Sequence, residues 1–364
     1  MHVTGHADSG PPRPDPRTPR TRTRRTPRKA ASIRDVAEAA DVSYQTVSRV
    51  INGHPNVKEQ TRHRVEAAIE ELGFRRNASA YALASGVTRA VTVLTSNTVL
   101  HGYAATLQGL EEAARAAGYS VGVRVLTPED DLGRTVATAS AAGGGIVVIG
   151  FDRLGAAALD RVPADVPCAS AVEAPPPGVT PARPAVWADD REAARAATRH
   201  LLDLGHRTVH YVAIPASTGP RSSTAPRAEG WRQALKAAGV APLPPTGEGW
   251  DARAGYEAGR ELARDPGVTA ILCGNDDLAL GVLRALHHAG RAVPGDVSVI
   301  GFDDAPHSGF VTPALTTVRM DFQGLGRAAF QLLRAQLELG YQPPDPALFA
   351  PELVPRESSG RRTA

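Results

Sequence analysis

Apolar residues recur along this chain with two different periods, and the change of period divides it. Between residues 32 and 74 the recurrence is every three to four positions. Val36, Ala37 and Ala40 form one short apolar face, Val47, Val50 and Ile51 a second, and Thr61, Val65, Ala68 and Leu72 a third. That spacing predicts three helices. The first opens at Ser32-Ile-Arg-Asp35, a capping-box-like start with Asp in place of Glu or Gln, and ends near Asp41. The second runs over 43–53, with Ser43 as its cap, Val42 and Val47 spaced as a hydrophobic staple, and Gly53 as a left-handed stop. The third covers 58–72, weakly capped by Lys58 and stopped at Gly73. Small alanines on the first helix permit the steep crossing of a helix-turn-helix. The polar stripe of the second helix carries Tyr44, Gln45, Ser48 and Arg49, side chains able to bond base edges or phosphates. That is the profile of a recognition helix.

From residue 90 the pattern becomes short apolar runs separated by Ala-rich amphipathic stretches. Runs at 90–95, 121–126, 145–150 and 168–172 read as buried strands of a parallel sheet, with helices near 103–117, 129–142 and 154–161 between them. Residues 186–187 and 189–204 lead into a second set. Its strands are 209–214, 270–273 and 297–301, and its helices 227–238, 253–263 and 276–289. A run at 315–320 returns the chain to the first half, followed by a helix near 322–339 and an extended run at 348–353. Strand-helix alternation of this kind predicts two doubly wound α/β halves with parallel sheets.

At 364 residues the length suits two to three domains. No apolar run is long enough to span a bilayer. The net charge of +3 conceals an asymmetry: residues 1–30 hold eight Lys/Arg and two Asp, so the remainder is acidic. This Pro-, Arg- and Thr-rich arm has no apolar period and is expected to be disordered, either adding phosphate attraction or serving as a solvated extension. Cys168 and Cys273 fall far apart, each in a predicted strand, and are expected as buried free thiols in a reducing compartment.

The run Ile33-Arg-Asp-Val-Ala-Glu-Ala-Ala-Asp-Val-Ser-Tyr-Gln-Thr-Val-Ser-Arg-Val-Ile-Asn-Gly53 strongly resembles the headpiece of the LacI/GalR transcription regulators. So does Thr61-Arg-His-Arg-Val-Glu-Ala-Ala-Ile-Glu-Glu-Leu-Gly-Phe74, and the Tyr44-Gln45 pair is most similar to the lactose-type branch. The resemblance implies an all-α helix-turn-helix headpiece joined to a two-lobed, periplasmic-binding-protein-like effector domain. The expected organisation is a basic arm (1–31), headpiece (32–76), hinge helix and linker (77–89), effector-binding and dimerisation domain (90–356) and tail (357–364). DNA contacts are then expected from Ser32, Tyr44, Gln45, Thr46, Ser48, Arg49 and Asn52. Asn77, Ala80 and Leu83 match the hinge, with Leu83 as a minor-groove wedge.

In the body, the matching effector contacts are Leu100, Tyr103, Trp187, Arg227, Trp250, Asn275 and Asp303. Arg227 and Asp303 have the chemistry to hold vicinal hydroxyls through charge-assisted bonds, and Trp250 stands where family members stack an indole on a sugar. There are departures. Val172 replaces a hydroxyl-binding Asp, with Glu173 one residue on. Gly150 and Met320 replace polar contacts, and Tyr103 occupies a position usually smaller.

No nucleophile-base pairing, metal spacing or phosphate-cradling loop stands out. Asp189-Asp190 and Asp276-Asp277 open helices, where acids suit the dipole. The expectation is a cytoplasmic, non-enzymatic, homodimeric repressor without cofactor, binding near-palindromic operator DNA and released by a sugar inducer. A dimer is expected over a tetramer because only a short segment follows Leu353. A corepressor-dependent, purine-like regulator or an activator is the alternative. A freestanding sugar-binding protein would lack residues 32–85.

Overall fold

The computed structural model describes residues 2, 31–51, 56–74, 89–215, 225–343 and 350–362, and the chain separates into two compact units, 1–81 and 82–364. The expected contacts Asn52, Asn77, Ala80 and Leu83 lie outside the described residues, as does Gly53.

In the first unit, α1 (Ile33–Ala39), α2 (Tyr44–Ile51) and α3 (Glu59–Leu72) pack around Val36, Val47 and Val65, all fully buried. The capping box forms as expected. Asp35 N donates to Ser32 Oγ at 3.3 Å, and Ser32 N donates to Asp35 Oδ2 at 2.6 Å. Ser43 Oγ accepts from Thr46 N at 3.2 Å, satisfying one orphan amide of α2. The α3 stop is Gly73, at φ +58°, where an L side chain is disfavoured. One core position needs correction: Leu72 is 39% exposed, not buried. Beyond the left-handed glycine, Phe74 N donates to Ile69 O at 3.0 Å, and Ile69 and Phe74 pack on the core in its place.

In the second unit, β1 (Ala90–Thr95), β2 (Ser120–Val125), β3 (Gly145–Gly150), β4 (Cys168–Val172) and β5 (Ala185–Val186) form an all-parallel sheet ordered β2-β1-β3-β4-β5. The intervening helices are α4 (His101–Ala116), α5 (Leu132–Ala141) and α6 (Arg153–Leu159). A second parallel sheet, β7-β6-β8-β9, comprises β6 (His210–Ala213), β7 (Thr246–Glu248), β8 (Ala270–Cys273) and β9 (Ser298–Ile300). Its helices are α7 (Asp190–Asp203), α8 (Pro226–Ala237), α9 (Ala252–Leu262) and α10 (Asp276–His288). Both cysteines are buried, free and in strands. Two points differ from expectation. β2 is an edge strand exposing Val123 and Val125, not a buried one. β7 gave no apolar signal, since Thr-Gly-Glu is polar and Gly247 sits at φ +67°.

The chain crosses between the lobes three times. After β5 it enters α7, which packs on α8; β10 (Thr317–Arg319) then leads back to α11 (Phe322–Leu337), which packs on α4 and β4. Close approach there depends on glycines: a Cβ at Gly326 would lie 1.9 Å from Thr106 O. Finally β11 (Glu352–Val354) pairs antiparallel with β10, and the chain rejoins the second lobe. Within the expected tail, residues 357–362 pack on the second lobe. Ser358 is fully buried, its Oγ donating to Val299 O at 2.6 Å, and Arg362 N donates to Leu204 O at 3.0 Å. The unfilled amides and carbonyls of β9 are what that segment satisfies.

Candidate functional sites for DNA and effector

The headpiece presents one polar surface. Tyr44, Gln45 and Arg49 on α2 are exposed, while Thr46 and Ser48 are half-buried beside the core. α2 places its apolar stripe, Val47 and Val50, against α1 and α3, so these polar residues face outward together. Gln45 has the amide geometry for adenine and Arg49 the fork for guanine. The Ser32 hydroxyl caps α1 by accepting from Asp35 N.

The body holds a cavity at the carboxyl ends of its strands, where ligands of open α/β sheets bind. The cavity has a free volume of about 560 Å³ including its open mouth. Leu100, Tyr103, Arg227, Trp250, Asn275 and Asp303 all line it, as expected. Trp187 does not. Its neighbour Ala188 lines the cavity instead. Val172 and Glu173 both reach the wall, so Glu173 is within the site after all; Met320 lines it, and Gly150 yields its place to Phe151. Phe322 and Asp277 also contribute, though neither was singled out in the sequence as a contact.

The polar centre is Arg227, second residue of α8 and buried. Its Nε donates to Asp190 Oδ1 at 3.1 Å, its Nη1 donates to Gly274 O at 2.5 Å, and its guanidinium lies 3.9 Å over the Phe302 ring. Asp303 Oδ1 is 3.1 Å from the same Nη1. Arg227 is thus largely committed to protein groups, not an open fork for hydroxyls. Asp190 was the residue missed. Asp189 fills the expected dipole role by capping α7 through Glu192 N, whereas Asp190 turns inward and is buried. Burial above all, with Asp276 and Asp190 adding repulsion against the pull of Arg227, raises the Asp303 carboxyl to about 8.

Backbone strain marks the same loop. Asp303 has φ +109° and Asp304 φ +53°, a left-handed pair without glycine, each costing about 1–3 kcal/mol. Partners hold it in place. Asp303 N donates to Val318 O at 2.8 Å, and Asp304 receives Arg319 Nε at 2.8 Å and Arg356 Nη2 at 2.6 Å. Those arginines sit on β10 and beyond β11, so the loop is tied to two of the three crossovers. Asn275 also works locally: its Oδ1 caps α10 through Leu278 N, and its Nδ2 donates to the backbone oxygen of Trp250 at 2.9 Å. Tyr103 lies deep in the wall against Phe151, its ring centroid 5.3 Å away. No group of His, Cys, Asp and Glu suited to a metal ion occurs among the described residues, and none of the helices among them is long and apolar enough to cross a membrane.

Comparison with known proteins joins these two sites. The lacI-family model of bacterial regulatory proteins matches residues 32–77, and a periplasmic binding protein-like domain matches 198–359. The chain is 31% identical over 336 residues to the lactose operon repressor of Escherichia coli (strain K12), with 91% of each covered. It is 32% identical over 337 residues to the regulator GalR of the same strain, with 90% of this chain and 95% of that one covered. The crystal structure of the Lac repressor dimer bound to operator and the anti-inducer ONPF matches with a TM-score of 0.76 at 30% identity, covering 91% of this chain and all (100%) of that one. A complex of the transcriptional regulator CelR with cellobiose gives 0.64 at 28% identity, covering 90% and 100%. The chain belongs to the lacI family of bacterial regulatory proteins, as a DNA-binding transcriptional regulator with a helix-turn-helix headpiece and a two-lobed, periplasmic-binding-protein-like body.

Proposed function

We propose that this regulator is a cytoplasmic homodimeric repressor, not an enzyme, that binds a near-palindromic operator and is released from it by a sugar or glycoside. The observation that carries this is the grouping of Asp303, Arg227 and the Trp250 indole around one cavity between the lobes. An Asp–Arg pair beside an aromatic ring suits a molecule with hydroxyls on its edge and an apolar face. The solved relatives with ONPF and cellobiose support a sugar-like ligand.

Dimerisation is supported by Val123 and Val125, exposed on edge strand β2, and by the dimeric Lac repressor relative. Two copies would bring two α2 helices to half-sites related by a two-fold axis. Tyr44, Gln45, Thr46, Ser48, Arg49 and Asn52 would then meet the major groove, and Asn77, Ala80 and Leu83 the minor groove. A ligand preferring one lobe arrangement shifts operator affinity only by its differential affinity for the two arrangements, and the operator weakens ligand binding by the same factor.

The test is selection of bound duplexes from a random library by the full-length protein, followed by release with a panel of sugars and glycosides. Enrichment of a two-fold symmetric site, released by at least one sugar, is expected. An asymmetric half-site, or a symmetric site that no sugar releases, would contradict the dimeric or the inducible part respectively.

A further inference from the structure

Asp303 and Asp304 are neighbours in the chain with different partners. Asp303 lines the cavity, and Asp304 is not among the residues that line it. The Asp304 carboxylate is bound instead to the segments that cross between the lobes. Its Oδ2 accepts from Arg319 Nε on β10 at 2.8 Å, and its Oδ1 accepts from Arg356 Nη2, just beyond β11, at 2.6 Å. Arg319 Nη1 also donates to Glu352 Oε2 at the start of β11, at 3.4 Å, and Arg356 Nη1 donates to Leu315 O ahead of β10, at 2.8 Å. One carboxylate therefore holds both crossing strands. Its side chain is only 11% exposed, so these charge-assisted bonds are screened less than an ordinary surface pair.

The backbone joins the two residues mechanically. Both hold positive φ, +109° at Asp303 and +53° at Asp304, and such strain persists only where surrounding bonds over-determine it. Here the bonds come from β10: Asp303 N donates to Val318 O, and Asp304 N donates to Thr317 Oγ1 at 3.4 Å. We propose that Asp304 is a positioning residue for the effector response, clamping the crossing strands to the strained turn so that they follow a change at Asp303. The inference rests on the cavity being the site of a sugar inducer. A strained turn has a relaxed alternative, and a ligand that fits one arrangement better shifts the balance between them. The clamp carries that shift to the segments on which the lobe arrangement turns. With the clamp cut, the ligand still binds at Asp303, but ligand and operator lose their influence on each other.

The test uses full-length protein and the symmetric duplex that wild type selects. Operator affinity is measured without sugar and with a saturating amount of whichever of galactose, glucose, lactose, cellobiose and maltose releases wild type best. Calorimetry gives the affinity of the same sugar for operator-free protein. The ratio of the two operator affinities measures the coupling. Asp304→Asn and Arg319→Gln should each bring that ratio about fivefold or more nearer to one, while sugar affinity changes by less than about twofold. A merely structural role would lower the active fraction and leave the ratio where it was. Arg319 is 52% exposed, so its variant should fold and decides the matter even if Asp304→Asn does not. A folded variant with the wild-type ratio overturns the positioning role and leaves the sugar reading standing. So does a matching loss of sugar affinity, which would make the clamp part of the binding site. If none of these sugars releases wild type, the inducible reading falls and the positioning role with it.

Discussion

Arg227 Nε donates to Asp190 Oδ1 across 3.1 Å, joining the starts of α8 and α7 with both side chains buried. This bond sets the plane of the guanidinium beside Asp303. Replacing Asp190 by Ala leaves Arg227 with one carboxylate fewer in a buried site. Loss of one partner of such a pair costs about 3–5 kcal/mol. Urea unfolding of Asp190→Ala should show that loss, with Asp190→Asn losing less. A variant as stable as wild type would mean that the pair does not support the body.

Asp303 gives stability a pH dependence of known sign. Its carboxyl is raised from 3.8 to about 8, burial being the first cause. Between those values the unfolded chain releases the proton while the folded chain keeps it. Stability from this group is therefore complete below the lower value and lost as pH climbs to the upper. Unfolding free energies at about pH 5.5 and about pH 8 should fall with pH in wild type and fall less in Asp303→Asn. Parallel declines would assign the dependence to other groups.

Asp276 and Gly301 form a second buried unit. The Asp276 carboxylate accepts from Ala305 N at 2.7 Å, Ser308 Oγ at 2.6 Å and Thr317 Oγ1 at 2.5 Å. A Cβ on Gly301 would lie 2.1 Å from its Oδ1. Gly301→Ala is expected to cost about 1–3 kcal/mol by overpacking, and Asp276→Ala about as much by stranding donors. Because the two act on one site, the double variant should lose less than the two single losses together. Strict additivity in thermal unfolding would argue against a shared network.

On the headpiece, Gln45→Ala should reduce the ratio of operator to scrambled-duplex affinity by about 1–3 kcal/mol at fixed salt, with non-specific binding retained. Because Gln45 is exposed, the fold should not change. An unchanged ratio would move base readout to other residues.

The headpiece was legible because its determinants are local. Ser32 meets Asp35 three residues on, and Gly73 ends its own helix. Leu72 failed because the choice between it and Ile69 depends on how Gly73 turns the chain. In the body, apolar runs marked most strands, but edge position is a property of the whole sheet, so the exposure of Val123 and Val125 was not readable. Asp190 was masked for a related reason: its partner lies 37 residues away, and an acid opening a helix is satisfied locally just as well. Family resemblance supplied Arg227, Asn275 and Asp303, and the structure adds the protein groups that hold them. Arg227 and Asn275 spend most of their bonds on Asp190, Gly274, Trp250 and the start of α10. Just past the end of β5 the cavity is lined by Ala188 and not by Trp187.

The central claim, that a ligand at Asp303 controls operator binding, is tested most directly by titrating operator-bound protein with an inducing sugar, for wild type and Asp303→Asn. The substitution keeps the shape of the side chain and removes its titratable acid. The variant should bind operator as wild type does and fail to release it across the range that releases wild type. Equal release midpoints for the two proteins would contradict the claim and place control outside this cavity.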